Sequence, residues 1–199
     1  INYGTYPFIT SSSPTSAGVL EGAGVPPQSL TRIIGVSKAY STRVGEGPYI
    51  TELLGDEGEA LRQKGFEFGA TTGRPRRCGW LDLPVVKQAV RINGLTDIAM
   101  TKIDILTGYD KIPVCVGYEL DGKQIDYVPA SLEVYGRCKP VWKVFDGWTE
   151  DISQIRNYED LPENCRKYVE FVEEYTKTSV SLVSVSPERE GNIIRKPLI

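Results

Sequence analysis

The 199-residue chain is 40% hydrophobic and 25% charged, the composition of an ordinary globular protein with enough length to bury one core. A formal charge of −3 offers no broad attraction to nucleic-acid backbones or anionic membranes, and no run of about 18 apolar residues is present to span a bilayer. Histidine is absent, which removes the side chain most used for proton transfer near neutral pH, and four scattered cysteines without CxxC spacing read as free thiols of a cytoplasmic protein, not as a zinc site.

The opening run INYGTYPFIT, rich in aromatic and β-branched residues, predicts a strand, and its start at Ile1 without a methionine predicts that the chain begins inside a larger protein. The following TSSSPTSAGVLEGAGVPP is too polar and glycine-rich for a long core element. From Gln28 to Ala39, the spacing of Leu30, Ile33, Ile34, Ser37 and Ala39 predicts a helix. STRVGEGPYITELL reads as a glycine-rich turn and an extended segment, and DEGEALRQKGFEFG as a short helix with an acidic start, ending near Gly65.

GATTGRPRRCGW breaks regular structure, since Gly69, Gly73, Pro75 and Gly79 favour an irregular loop. Asp82 then precedes an apolar helical pattern in Val85, Val86, Ala89, Val90 and Ile92 that stops at Asn93 and Gly94. TDIAM predicts a short buried strand, and PVCVGYELDGKQIDYVP a hairpin turning at Asp121 and Gly122. A helix from about Pro162 to Tyr175, with an apolar face of Tyr168, Val169, Val172 and Tyr175, and a buried strand in SVSLVSVS complete the reading. The alternation predicts an α/β fold: a mixed, mostly parallel sheet with flanking helices and a β-hairpin, with no internal domain boundary.

Two segments carry recognisable chemistry. In TKID, at the end of the predicted strand, the Asp104 carboxylate can accept paired hydrogen bonds from guanine N1 and its exocyclic amine, while Lys102 lays its methylenes over a base. Taken alone, the same residues also fit a surface turn that caps a strand. The loop GATTGRPRRCGW gathers Thr71, Thr72, Arg74, Arg76 and Arg77, and arginine forks bind carboxylates or phosphates through paired charged hydrogen bonds. A solvated basic turn is the plain alternative. YPFITSSS with STRVGEGP, and SVSPERE with Ser184, Ser186 and Arg189, offer hydroxyls that equally satisfy turns and helix starts. No GxxxxGK[ST] loop, GxSxG elbow or HExxH pair occurs, and no residue is nominated as catalytic.

GTYPFITSS, KAYSTRVGEGPYITEL, GATTGRPRRCGWLD and TKID stand in the order found in adenylosuccinate synthetases, and the resemblance runs through to SVSPERE over essentially the whole chain. It implies the C-terminal portion of a larger, P-loop-like GTP-dependent synthetase fold that uses magnesium and GTP to join IMP and L-aspartate in purine (AMP) biosynthesis, as a cytoplasmic homodimer. By that resemblance Thr10, Val44 and Arg74 contact IMP, and Ala70, Thr71, Thr72, Gly73, Arg74, Pro75 and Arg76 form the aspartate loop. Arg76, Lys102, Ile103, Asp104, Ser184, Val185 and Ser186 contact GTP. The family's phosphate loop, catalytic aspartate and catalytic histidine, with most of the magnesium binding, have no counterpart here, so the chain is expected to be inactive alone. Ser13, Pro14 and Ser186 depart from the family's usual residues. A noncatalytic guanine-nucleotide-binding module is the alternative.

Overall fold

The computed structural model describes residues 4–9 and 12–197. The expected opening strand is not formed over residues 4–9, which make a turn closed by the Phe8 amide on the Thr5 carbonyl at 2.8 Å. Pro7 has no N–H to give to a strand ladder. Helix α1 (Ser16–Ala23) is short, buries no residue and ends at Gly24 in the left-handed region. Where a helix was expected over residues 28–39, a 3-10 turn (Pro27–Ser29) leads to a strand, β1 (Ile34–Lys38). Ile34 and Val36 are β-branched, and pairing with a neighbouring strand outweighs the apolar spacing that suggested a helix. After β2 (Ser41–Arg43) comes α2 (Asp56–Lys64), with Asp56, Glu57 and Glu59 in its first turn and Arg62 and Lys64 in its last, as the helix dipole favours.

Residues 69–76 are irregular as expected, but the end of that segment joins β3 (Arg77–Gly79), followed by β4 (Leu81–Asp82). Asp82 caps α3 (Leu83–Asn93) by accepting from the Val85 amide at 3.3 Å, and Gly94 closes the helix in the left-handed region. The expected strand is β5 (Asp97–Thr101), and the expected hairpin is β6 (Lys111–Leu120) and β7 (Lys123–Ile125), with Asp121 and Gly122 both at positive φ. Helix α4 (Leu132–Gly136) and strand β8 (Lys139–Asp146) come next. Helix α5 (Glu163–Thr176), β9 (Ser179–Ser184) and β10 (Asn192–Ile194) complete the described chain.

The central sheet runs β1-β5-β9-β10, its first three strands parallel and β10 antiparallel. In a second sheet β6 pairs β4 in parallel and β7 and β8 antiparallel, while β2 and β3 form a small ribbon. Helix α5 buries Cys165, Tyr168, Val169 and Val172, one stripe at helical spacing, in a core shared with Met100, Ile103, Leu106 and Val183. Tyr175 is partly buried beside them. The register of the parallel strands decides the rest: Lys38 of β1 lies opposite Thr101 of β5, and Met100 opposite Val183 of β9. Three strands therefore end together, at the carboxyl edge where open α/β sheets place their ligands. All four cysteines are free and buried, and no described helix is long and apolar enough to cross a membrane.

Candidate functional site

Each of the three parallel strands hands a polar segment to this edge. Strand β5 passes into Lys102, which adopts a left-handed conformation (φ 60°) and opens the 3-10 turn Ile103–Leu106. Asp104 lies half-buried in that turn, and burial raises its carboxyl from the ordinary value, against backbone N–H groups and the nearby Lys102 and Lys64 charges. Ile103 is fully buried and anchors the turn in the core. Strand β9 delivers Ser184, Val185 and Ser186. The Ser184 hydroxyl donates to the Ser186 carbonyl at 3.0 Å, and the buried Val185 donates its amide to Gly191 at 2.8 Å.

The loop holding Ala70, Thr71, Thr72, Gly73, Arg74 and Pro75 is exposed throughout and is shaped by its own backbone. Gly69 donates to the Arg74 carbonyl and accepts from the Gly73 amide, each at 2.8 Å. Gly73 sits at φ 64°, and Phe68 bridges to Pro75 at the base. Val44 follows β2, half exposed, and Arg43 beside it donates to the Thr5 hydroxyl at 2.8 Å and the Phe8 carbonyl at 3.1 Å. Residues 5–8 are thereby tied to the Val44 segment. Thr10 lies outside the described residues.

What joins these segments is Glu67, a residue that the sequence does not single out. Its side chain is 0% exposed. Lys38 donates to both carboxylate oxygens at 2.8 Å, Tyr40 at 2.6 Å, Arg76 at 2.6 Å and Lys102 at 3.0 Å. Burial alone pushes the carboxyl up, but the combined hydrogen bonds overcome it and hold Glu67 at about 2. The neighbouring Gly65 is needed for space, because a Cβ there would come within 2.3 Å of the Tyr40 hydroxyl. Lys38, Arg76 and Lys102 stay 26%, 30% and 34% exposed. One carboxylate thus faces three cations that also reach solvent. The alternation Phe66-Glu67-Phe68 would suggest that the phenylalanines face inward. Instead Phe66 is 81% exposed in the left-handed region (φ 50°), and Glu67 points into the protein.

Lys38, at the end of β1, likewise carries no local sequence signal of a site; it donates to Thr42 at 2.9 Å, and burial lowers its ammonium from the usual value despite the Glu67 contact. Arg77 does not join the Glu67 cluster: it forms a bidentate pair with Glu52 at 2.7 and 2.5 Å and donates to the Gly45 and Gly47 carbonyls, each at 3.0 Å. Arg189 belongs to a 3-10 turn, Arg189–Gly191, and is exposed. Two shallow concavities, one around Tyr158 and Arg195 and one around Trp148 and Asn164, hold none of the residues assigned to ligands. Among the described residues no group of three or more histidines, cysteines or carboxylates is placed to hold a metal ion.

Fold and site define an open-sheet α/β chain whose charged segments gather at the carboxyl edge of parallel strands. The family model for adenylosuccinate synthetase matches residues 1–193, and the chain belongs to that family. It is 57% identical to the adenylosuccinate synthetase of Clostridium novyi over 98% of this chain, and 57% identical to that of Fusobacterium nucleatum over 97%. It covers 45% of each, so it spans about half the length of the curated relatives it matches. The fully ligated adenylosuccinate synthetase from Plasmodium falciparum superposes with a TM-score of 0.95 at 42% identity, over 98% of this chain and 47% of that one. A cyanophage S-2L succinoaminodeoxyadenylate synthetase, solved with dGMP and dATP, shares the fold at a TM-score of 0.55 and 15% identity, over 99% of this chain and 43% of that one.

Proposed function

We propose that this chain is the C-terminal, substrate-recognising portion of a synthetase that joins IMP and L-aspartate at the expense of GTP, in purine biosynthesis. The observation that carries the reading is the convergence of Lys38, Arg76 and Lys102 on Glu67 at the strand ends, beside an exposed loop that offers Arg74. Family membership supplies the reaction. GTP phosphorylates the oxygen at C6 of IMP as N1 gives up its proton, and GDP departs; the aspartate amine then attacks C6, phosphate leaves, and the amine loses a proton. Phosphorylation converts a poor leaving group into a good one.

In this reading Arg74 and Arg76 take the aspartate carboxylates, with Thr71 and Thr72 and the backbone of residues 70–75 completing the loop. Asp104 accepts from guanine N1 and its amine, Lys102 covers the base, and Ser184 to Ser186 border it. Thr10, Val44 and Arg74 face IMP. This chain contributes binding and orientation, which remove entropy from the barrier. Proton transfer belongs to groups outside it, as does magnesium, which neutralises phosphate charge when bound. The longer protein is proposed to act as a cytoplasmic homodimer, and the isolated chain to be inactive.

The test is turnover by a full-length protein carrying this chain. Adenylosuccinate formation that requires IMP, aspartate and GTP is expected, and no consumption of GTP with IMP and aspartate present would refute the reading. Asp104→Ala should impair GTP use and Arg74→Ala aspartate and IMP use. Wild-type kinetics in both would refute the site map.

A further inference from the structure

The Glu67 cluster ties together parts of the chain that are far apart in sequence. Its cations come from separate pieces of chain: Lys38 from the end of β1, Arg76 from the base of the exposed loop, and Lys102 from the turn after β5. All three meet on one carboxylate with no solvent access, so none can shift its charged end without changing the hydrogen bonds left to the others. Glu67 grips Arg76 twice. Its carboxylate accepts from the guanidinium at 2.6 Å, and its backbone carbonyl accepts from the Arg76 amide at 2.9 Å. Lys102 is fixed as tightly, since its ammonium also donates to the Gly65 carbonyl at 2.5 Å and its backbone is held at positive φ.

We propose that Glu67 is a positioning residue that locks the Arg76 loop and the Lys102–Asp104 turn into one unit, so that recognition of the aspartate carboxylates and of the guanine nucleotide is energetically coupled. The proposal rests on the functional reading above. Both segments carry charge that must be in place before a ligand arrives; three like charges so close together would repel one another and spread without the carboxylate between them. Because the cations share one acceptor, a ligand that draws Arg76 outward alters the balance at Lys102, and linkage requires the converse.

Kinetics on a full-length protein carrying this chain would test it, first with the wild type. No turnover with IMP, aspartate and GTP sinks the functional reading and is distinct from every result below. Given turnover, Glu67→Gln keeps the shape and removes the charge. It is expected to raise KM for aspartate and for GTP about tenfold each, the equivalent of one charged hydrogen bond. Aspartate and GTP constants within about twofold of wild type overturn the proposal. If Glu67→Gln does not fold, Lys102→Met decides. Lys102 belongs to the guanine turn, yet coupling predicts that its loss raises KM for aspartate about threefold or more through Arg76. A change confined to GTP overturns the proposal.

Discussion

Two buried carboxylates in this chain live under opposite conditions. Glu67 lies beneath the exposed loop with three cations and a phenol aimed at it, and is held ionised at about 2. Asp82 lies at the start of α3, 5% exposed, with only the Tyr118 hydroxyl at 2.7 Å and the Val85 amide at 3.3 Å, and burial pushes it up to about 6 despite them. Two carboxylates with little or no solvent exposure therefore shift in opposite directions, and the charged partners around Glu67 decide its sign. Glu67 organises other charges. Asp82 ends a helix.

The largest effect is expected at Glu67. Held at about 2 against an ordinary 4.5, its carboxylate contributes roughly 3 kcal/mol to stability at neutral pH. That contribution is present above the unfolded value and is lost as pH falls from about 4.5 through 2. Denaturant unfolding of Glu67→Gln should show a loss of this size at pH 7, narrowing across that window; a gap independent of pH would mean that charge is not what matters. At Asp82 the sign reverses. Its raised value means that the ionised form strains the fold, so wild-type stability falls as pH rises from about 4 through 6. Asp82→Asn keeps a capping oxygen, and should stabilise by about 1–2 kcal/mol at pH 7 and by nothing near pH 4. Equal or lower stability at pH 7 would show that the ionised Asp82 carboxylate costs the fold nothing.

The two phenols matter unequally. Tyr40→Phe leaves Glu67 its three charged donors and should reduce stability by about 1 kcal/mol at most. Tyr118→Phe leaves Asp82 a single backbone N–H, so the carboxyl should titrate above its present value, visible by NMR on the Asp82 side-chain carbon. Smallest of all, Arg74→Ala in the exposed loop should move unfolding stability by no more than about 0.5 kcal/mol. A large change would mean that the loop supports the fold.

Asp82 was legible because a helix cap is local: an acidic residue immediately before an apolar helical pattern identifies itself. The same holds for β5, for the hairpin at Asp121 and Gly122, and for the stripe on α5. Strand β1 was not, because Ile33, Ile34 and Ala39 fit a helical period and only pairing with β5 overrides it. Strand β8 mixes Pro140, Val141, Trp142 and Val144 with lysines, and its burial does not alternate cleanly. At the site, Arg76, Lys102 and Asp104 follow from local chemistry and motif. Glu67 could not, since three of its partners lie 27 to 35 residues away and its place in Phe-Glu-Phe suggests an outward carboxylate.

The four buried cysteines have a practical consequence. Burial raises all four thiols, Cys115 and Cys165 to about 12, so almost no thiolate is present at neutral pH for an alkylating dye to find. A cysteine introduced at exposed Thr71 would then take up a maleimide fluorophore far ahead of the native thiols. The folded chain is in this sense already prepared for site-specific labelling, and the tip of its arginine loop can report its own movement as ligands are added.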